Sequence, residues 1–389
     1  MAFDSDQARR FIDLGDRDFA PFFAGRAAEI RHFESSFNTL AWKEKTSAAF
    51  RIFQGAPGCG KTSLVRHLRR LYADDVLFVD IGDEDLVSKE ALTRRIREKA
   101  LSFGSLKGGL AAFAQMVGTY LRVTRPGSDE VRNFFADHAT RDKKVVLFMD
   151  EAQVFGEDQQ PGLVLLHTTG LGFPTVALLA GLSHTAGRLR AIGGISRLAD
   201  NAIINMGAMS ESECIDSTDL LMAACGAAGD SMAAEQARRT VARISRGWPQ
   251  HLNGAQRALC RELLRTDGVL AKVDFDVVRS ESDRARHDYY SVRLSDTVLD
   301  IVPAATARIV FKVTETRPDR MYELEGVCEE VIADMGLDKD TRFRTNAEQI
   351  AKALVERGVL AIADGGSYDV AIPSILDYLN EVSRPPSAS

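Results

Sequence analysis

Apolar runs alternate with segments of helical spacing through the first half of the chain. Five short runs are predicted as strands, at 50–54, 76–80, 144–149, 175–180 and 202–206. Strands that alternate with helices in this way predict a parallel sheet covered by helices on both faces. The stretch between the second and third strands is too long for a simple crossover and predicts a helical insertion at about 88–140.

A glycine-rich segment joins the first predicted strand to a helix over 62–72. It fits the pattern GxxxxGK[ST] in the strand–loop–helix setting that this pattern requires. Backbone N–H groups in such a loop surround phosphate oxygens, the lysine reaches the β- and γ-phosphates, and the hydroxyl binds Mg²⁺. The predicted nucleotide-binding residues are Gly55, Ala56, Pro57, Gly58, Cys59, Gly60, Lys61, Thr62 and Ser63.

Two carboxylates end the third predicted strand. The run at 144–149 is apolar throughout its last five positions, which is typical of a strand buried on both faces, and Asp150 and Glu151 follow it. A buried parallel strand brings such residues to the carboxyl edge of the sheet. Asp150 is predicted to bind Mg²⁺ through its water shell, and Glu151 to act as the general base toward water. Alone, this pair would be read as a helix cap.

The composition is that of a water-soluble protein. Of the 389 residues 45% are hydrophobic and 27% charged, and the net charge of -6 gives no overall attraction to nucleic acid. The five cysteines form no CxxC pair, which predicts reduced thiols rather than disulfides or zinc. No apolar run is long enough to span a bilayer and no secretory signal begins the chain, so a cytoplasmic location is expected.

These motifs resemble those of AAA+ ATPases, especially the branch of replication initiators, transposon ATP-binding adaptors and STAND signalling ATPases. The resemblance covers roughly 19–263 and includes a GRxxEI box at 25–30 and the sequence DEAQ at 150–153. It implies ATP as the nucleotide and Mg²⁺ as the metal ion. It also implies that Gly25 and Arg26 lie near the adenine.

The same resemblance assigns further site residues. Ser183 is the expected sensor of the γ-phosphate, with His184 second, although a helix-capping serine is the alternative. Arg197 is the expected arginine finger, with Arg188 and Arg190 as competitors. Pro249, in the GxP sequence at 247–249, is expected near the nucleotide.

The lid lacks one residue that many initiators have. Helical segments at 210–226, 232–246 and 250–264 predict the lid, but Gln250 stands where an arginine is common, and Arg246 is the substitute. A slow nucleotide switch suits this departure better than rapid hydrolysis.

The C-terminal third resembles a winged-helix domain. Helical segments at 297–311, 322–335 and 345–357 precede two alternating runs at 359–362 and 368–372, and the Gly-Gly turn between them predicts a hairpin. Cations around the last helix could contact DNA, namely Arg342, Arg344, Lys352 and Arg357. Acidic residues outnumber them across the domain, so DNA binding stays an open alternative.

The predicted fold is therefore α/β: an AAA+-like P-loop core over 1–207, followed by a helical lid and a winged-helix-like domain. The lid is predicted at 208–267, a connector at 268–294, the winged-helix-like domain at 295–383 and a disordered tail at 384–389. The expected function is an ATP-driven switch that forms homo-oligomers and recruits a protein partner, with no membrane involved. The alternatives are a DNA-binding ATPase and a nucleotide-binding scaffold with little hydrolysis.

Overall fold

The structure is a computed structural model of the chain. It describes residues 2–13, 23–37, 48–73, 76–105, 144–169, 175–196, 198–294, 303–337, 347–362, 366–372 and 374–383. Most of the predicted insertion, Arg197 and the tail at 384–389 lie outside this range. Contacts divide the chain into two compact units: a first unit of Met1–Arg26, Gly55–Leu64 and Asn205–Ser389, and a second unit of Ala27–Gln54 and Val65–Ile204.

Seven strands form two sheets. They are β1 (Ala49–Gln54), β2 (Val76–Asp80), β3 (Lys144–Met149), β4 (Thr175–Gly181), β5 (Ile203–Asn205), β6 (Leu360–Ile362) and β7 (Tyr368–Val370). The large sheet has the order β2-β3-β4-β1-β5, and β2 with β3, β3 with β4, and β4 with β1 are parallel pairs. This confirms the predicted parallel α/β sheet.

The helices agree closely with the predicted segments. They are α1 (Ser5–Asp13), α2 (Ala27–Ser35), α3 (Lys61–Leu71), α4 (Lys89–Ser105), α5 (Gln160–Val164), α6 (Thr185–Ala191), α7 (Glu211–Cys225), α8 (Ser231–Ser245), α9 (Pro249–Arg265), α10 (Phe275–Leu294), α11 (Pro303–Thr316), α12 (Met321–Asp334), α13 (Ala347–Glu356) and α14 (Ile375–Val382). A π-helical turn at Leu165–Thr169 continues α5.

The second unit is built around β4, whose seven residues are all buried. Phe50 and Ile52 on β1 and Leu147 on β3 pack into the same apolar core as β4 and α6. Strands buried on both faces explain why these runs are continuously apolar rather than alternating. The core fixes the carboxyl ends of β3 and β4, which carry the acidic motif and Ser183.

The first unit contains the phosphate loop, the lid and the C-terminal helices. Its main core lies among α7, α8, α9 and the start of α10, and includes Leu252, Leu259 and Val278. A smaller cluster joins Phe11 of α1 to Leu221 and Cys260 of the lid. All five cysteines are free thiols and buried.

Residues 303–383 form the C-terminal domain: three helices, the antiparallel pair β6–β7 and the closing helix α14. The predicted hairpin is confirmed, with Leu360 opposite Val370 and Ile362 opposite Tyr368. Helix α14 was not predicted from the sequence. Among the described residues, no helix combines the length and the apolar character that crossing a membrane requires.

Candidate functional site

The glycine-rich loop follows β1 directly and leads into α3. Gly58 and Gly60 have φ of +79° and +94°, a region of backbone conformation that other residues rarely adopt. A Cβ atom at Gly58 would lie 3.0 Å from both the Gln250 Cβ and the Trp248 indole nitrogen. The loop therefore needs glycine at this position for its backbone angle and for its close packing.

The carbonyl oxygens of the loop accept hydrogen bonds one after another. Lys61 Nζ donates to the carbonyls of Gly55 and Ala56, at 2.8 Å and 3.3 Å. At the other end, the Leu64 N–H donates to Gly60 O at 2.9 Å, which is the first turn of α3. These contacts use donors from the loop and its own helix.

The three carbonyls between them receive donors from distant parts of the chain. Pro57 O accepts from the Tyr289 hydroxyl at 3.0 Å. Gly58 O accepts from the Gln250 N–H at 3.2 Å. Cys59 O accepts from Arg26 Nη2 at 2.9 Å. The connector, the lid and the GRxxEI box thus each supply one donor.

Carbonyl bonding of this kind directs the opposite edge of the loop. In a trans peptide, the N–H of one residue points away from the C=O of the residue before it. The N–H groups of Gly58, Gly60 and Lys61 therefore face away from the donors that contact Pro57, Cys59 and Gly60. Together with the N-terminus of α3, where Thr62 and Ser63 lie, they form a concave group of donors suited to phosphate oxygens.

Gly25 and Arg26 are packed against this loop, and Arg26 is only 5% exposed. Besides Cys59 O, the Arg26 guanidinium donates to Gly207 O at 2.6 Å, and its backbone N–H donates to Glu213 Oε1 at 2.7 Å. Burial raises the pKa of Glu213, but the backbone N–H groups of Ser210 and Arg26 more than offset this, so the pKa is lowered. A charged carboxylate is thus maintained beside Arg26.

The GxP segment also contacts the phosphate loop. Trp248 is 1% exposed and precedes α9, whose first residue is Pro249. The Pro249 ring lies 3.6 Å from where a Cβ at Gly60 would be. Arg246, the substitute for a lid arginine, instead forms an ion pair with Asp377 of α14. The first unit therefore brings together the loop, Gly25, Arg26 and Pro249.

The acidic motif lies in the second unit, immediately after β3. The Glu151 N–H donates to Asp150 Oδ1 at 3.0 Å, and Glu151 has a left-handed φ of 50°. The Gln153 amide donates to the Glu151 carboxylate. Its carbonyl oxygen accepts from the Leu182 N–H at 3.1 Å. Gln153 therefore connects the predicted general base to the segment that carries Ser183.

Ser183 is buried in the turn after β4. The cap position of α6 belongs to His184, which makes no side-chain cap bond. Ser183 thus lies one residue before the cap, and a capping serine does not explain it. The α6 N-terminus is bonded instead by Gln54, whose side-chain oxygen accepts from the Ala186 N–H at 3.0 Å.

The finger candidates differ in what they contact. Arg197 lies outside the described residues. Arg190 donates to Leu198 O at 3.1 Å and pairs with Asp200. Arg188 is exposed on α6. Of the two described candidates, Arg188 is the one with an exposed side chain.

A cleft of about 420 Å³ opens beside the acidic motif in the second unit. Five carboxylates and one guanidinium line it, those of Asp80, Asp83, Glu84, Asp150, Glu151 and Arg95. Such a concentration of negative charge favours cations at this edge of the sheet.

The predicted Mg²⁺ donors have suitable chemistry. The Thr62 hydroxyl and the Asp150 carboxylate offer the hard oxygen atoms that Mg²⁺ prefers. Within the described ranges, no group of three or more His, Cys, Asp or Glu side chains could hold a metal ion. Nucleotide-associated Mg²⁺ uses one or two protein ligands together with phosphates and water, so the two donors fit this type of site.

Three contributors to these sites could not be found by sequence reasoning. Tyr289 was predicted only as an anchoring residue of the connector. Glu213 and Gln153 were not singled out, although the DEAQ sequence contains Gln153. The Tyr289–Pro57 bond joins residues 232 positions apart, and the Arg26–Glu213 bond joins residues 187 apart. No local pattern predicts such pairs.

Comparisons with known proteins agree with the core fold. Residues 45–184 match the model of a family described as an AAA domain, and no curated protein matches the chain. The ORC2 protein of Aeropyrum pernix in its ADP form is 13% identical, with 96% of this chain and 99% of that chain covered and a TM-score of 0.54. The same protein described as ADPNP-ADP complexes is 12% identical, with coverages of 98% and 99% and a TM-score of 0.50.

Cdc6p from Pyrobaculum aerophilum is 15% identical, with 94% of this chain and 98% of that chain covered and a TM-score of 0.44. At these identities the ORC2 structures show a shared fold: a P-loop α/β core of AAA+ type followed by a helical C-terminal region. The predicted AAA+ resemblance is thus supported for the domain at 45–184 and for the fold.

Proposed function

We propose that this protein binds ATP with Mg²⁺, hydrolyses it slowly, and uses the nucleotide as a switch for assembly and partner recruitment. The observation that carries the proposal is the shape of the phosphate loop. Its carbonyls at 55–60 all accept hydrogen bonds, so its N–H groups are arranged for an anion before one arrives.

The loop supplies the phosphate-binding groups. Lys61 Nζ is bonded to loop carbonyls 2.8 and 3.3 Å away, within reach of the loop's own peptide groups. In the proposed role it moves to the β- and γ-phosphates, since an ammonium group gains more from phosphate oxygens than from neutral carbonyls. Gly25, Arg26 and Pro249 complete the surroundings of the loop, and the AAA+ resemblance favours an adenine-side role for the first two.

The acidic motif supplies the groups for hydrolysis. Support for one combined function comes from the AAA domain match, because residues 45–184 include both the phosphate loop and Asp150–Glu151. Glu151 is proposed to accept the proton of the attacking water. Ser183 is proposed to sense the γ-phosphate and Arg197 to act on a neighbouring subunit.

Mg²⁺ would be bound by the Thr62 hydroxyl and, through water, by Asp150. When bound, it would neutralise charge on the β- and γ-phosphate oxygens. The protein residues then have separate tasks: Lys61 and the loop N–H groups bind phosphate, and Glu151 holds the proton taken from water.

Slow turnover is favoured by the first turn of the lid helix. Gln250 occupies the position where an arginine is common in related lids, and its N–H donates to Gly58 O. Arg246 is paired with Asp377. Without an arginine directed at the nucleotide, less charge stabilisation is available in the transition state for phosphoryl transfer.

Substitution of the proposed base separates binding from hydrolysis. Glu151→Gln removes the proton acceptor but keeps the size of the side chain, so ATP affinity is expected to be retained while phosphate release stops. Both are measured on the same protein, by equilibrium binding and by a phosphate-release assay. Equal turnover in wild type and Glu151→Gln would exclude Glu151 as the base, and absence of turnover in wild type would favour the nucleotide-binding scaffold.

Assembly is tested by sizing the full chain with ATP, with ADP and without nucleotide. A switch predicts a larger species with ATP than with ADP, because only differential contacts to the γ-phosphate can bias assembly. Adding DNA across a salt series tests the DNA-binding alternative. In the C-terminal domain, Lys352 pairs with Glu348 and Lys312 with Glu330, so the structure adds nothing that favours DNA.

A further inference from the structure

Two residues from the C-terminal third of the chain touch a single residue of the phosphate loop. The Tyr289 hydroxyl donates to Pro57 O at 3.0 Å. Gly358 lies so close to the same proline that a Cβ atom there would be 2.4 Å from Pro57 Cδ. One contact is made from α10, and the other from the turn between α13 and β6.

Tyr289 is fixed by its own surroundings. Its ring packs edge-on against His251 and Tyr290, with centroids 5.8 Å and 5.3 Å away. The Tyr290 hydroxyl is hydrogen bonded to Ser374 Oγ at 2.8 Å, and that oxygen lies 3.3 Å from His251 Nδ1. Ser374 is the cap residue of α14. The hydroxyl that contacts the loop therefore belongs to a packed cluster that includes the end of the C-terminal domain.

Gly358 is fixed by the end of α13. Its φ of +68° ends the helix, and the Val359 N–H donates to Leu354 O at 2.9 Å across the turn. The glycine is thus required twice, once for the left-handed turn and once for the approach to Pro57. The position of the turn depends on α13 and β6, and hence on the C-terminal domain.

We propose that Tyr289 and Gly358 are positioning residues of the phosphate loop, through which the C-terminal domain sets the nucleotide affinity. The inference rests on the proposed function, since it concerns the same loop. Tyr289 orients the peptide between Pro57 and Gly58, and so directs the Gly58 N–H toward the phosphate side. Gly358 limits how far the Pro57 ring can move.

Coupling of this kind acts in both directions. A displacement of the C-terminal domain removes support from Pro57 and weakens nucleotide binding. By thermodynamic linkage, a bound nucleotide favours the arrangement in which Tyr289 and Gly358 contact the loop. The proposal therefore identifies a route by which the nucleotide controls the C-terminal domain.

The first test removes one hydroxyl. Tyr289→Phe keeps the ring contacts with His251 and Tyr290 and deletes only the bond to Pro57 O. Loss of one such hydrogen bond is expected to weaken ATP and ADP binding by about 2- to 10-fold. Tyr322→Phe is the control, because Tyr322 is an exposed tyrosine of the same third of the chain.

The second test adds one methyl group. Gly358→Ala places a Cβ against Pro57, whereas Gly336→Ala places one in open space at a nearly equal φ of +66°. Both substitutions strain a left-handed turn that follows a helix, so their difference reports the contact with Pro57. Gly358→Ala is expected to weaken ATP binding at least as much as Tyr289→Phe, and Gly336→Ala to leave it unchanged.

Nucleotide-induced stabilisation separates positioning from a general loss of stability. A bound ligand raises the unfolding midpoint according to its concentration and affinity. Tyr289→Phe is expected to unfold like Tyr322→Phe without nucleotide and to gain less when ATP is added. Wild-type affinity in both Tyr289→Phe and Gly358→Ala would overturn the proposal. Should Gly358→Ala fail to fold, Tyr289→Phe decides alone. If wild type binds no ATP, the proposed function itself is wrong.

Discussion

Glu151 depends on a neighbouring amide for its orientation. The Gln153 side chain contacts the Glu151 carboxylate through its nitrogen and the Leu182 N–H through its oxygen. The two ends of one amide thus connect the turn after β3 to the turn after β4. A carboxylate in a left-handed turn, as here, has few local contacts to define its direction, so the amide matters for any proton transfer.

Replacing that amide should affect hydrolysis rather than binding. Gln153→Ala is expected to lower kcat for ATP by about 10-fold or more with little change in ATP affinity, since positioned general bases contribute 10²–10⁴-fold. Gln159→Ala is the control, because the Gln159 oxygen accepts only from Gly156 N–H within its own short helix. A proportional loss of binding and turnover in Gln153→Ala would contradict a positioning role.

At the scale of elements, the first turn of α9 supports the phosphate loop through buried contacts. Gln250 bonds the loop backbone, and the next residue, His251, packs against Tyr289 and Tyr290. Burial, and then the charges of Arg286 and Arg246, lower the pKa of His251 from 6.5 to about 3. The imidazole therefore stays neutral in the folded protein near pH 7.

This lowered pKa makes stability depend on acid. The unfolded chain takes up a proton at His251 near pH 6.5, and the folded chain does so only near pH 3. The contribution is fully present above pH 6.5 and is lost as the pH falls from 6.5 toward 3. By pH 5 the loss is about 2 kcal/mol in the free energy of unfolding.

Urea unfolding at pH 7.5 and pH 5 measures this effect. His251→Gln is expected to lose less stability than wild type over that interval, because it has no group to protonate. The exposed His287→Gln serves as the control. Parallel losses in wild type and His251→Gln would show that protonation of His251 does not weaken the fold.

Sequence patterns predicted the elements well where the pattern is local. The run Val145–Met149 is apolar at every position, so its strand and the position of Asp150 followed from the sequence. Helix α14 was missed, because its eight residues come after the hairpin and only Ile375 and Leu379 are buried. Tyr289 received no loop-supporting role, because its partner Pro57 is brought near only by the folded first unit.

At the scale of the whole molecule, two compact units each carry part of the predicted chemistry. The first unit holds the phosphate loop with its supports, and the second holds the acidic motif and Ser183. The AAA domain match and the ORC2 fold are consistent with a nucleotide site of AAA+ type. Domain boundaries, the winged-helix character of residues 303–383 and the oligomer stay predictions.

The central claim is that the loop Gly55–Thr62 binds ATP. Titration calorimetry of the full chain with Mg²⁺ and ATP tests it directly, using wild type, Lys61→Ala and the exposed-lysine control Lys272→Ala. The expected result is saturable binding of one ATP per chain in wild type and Lys272→Ala and none in Lys61→Ala. Absence of binding in wild type, or equal affinity in wild type and Lys61→Ala, would contradict the claim.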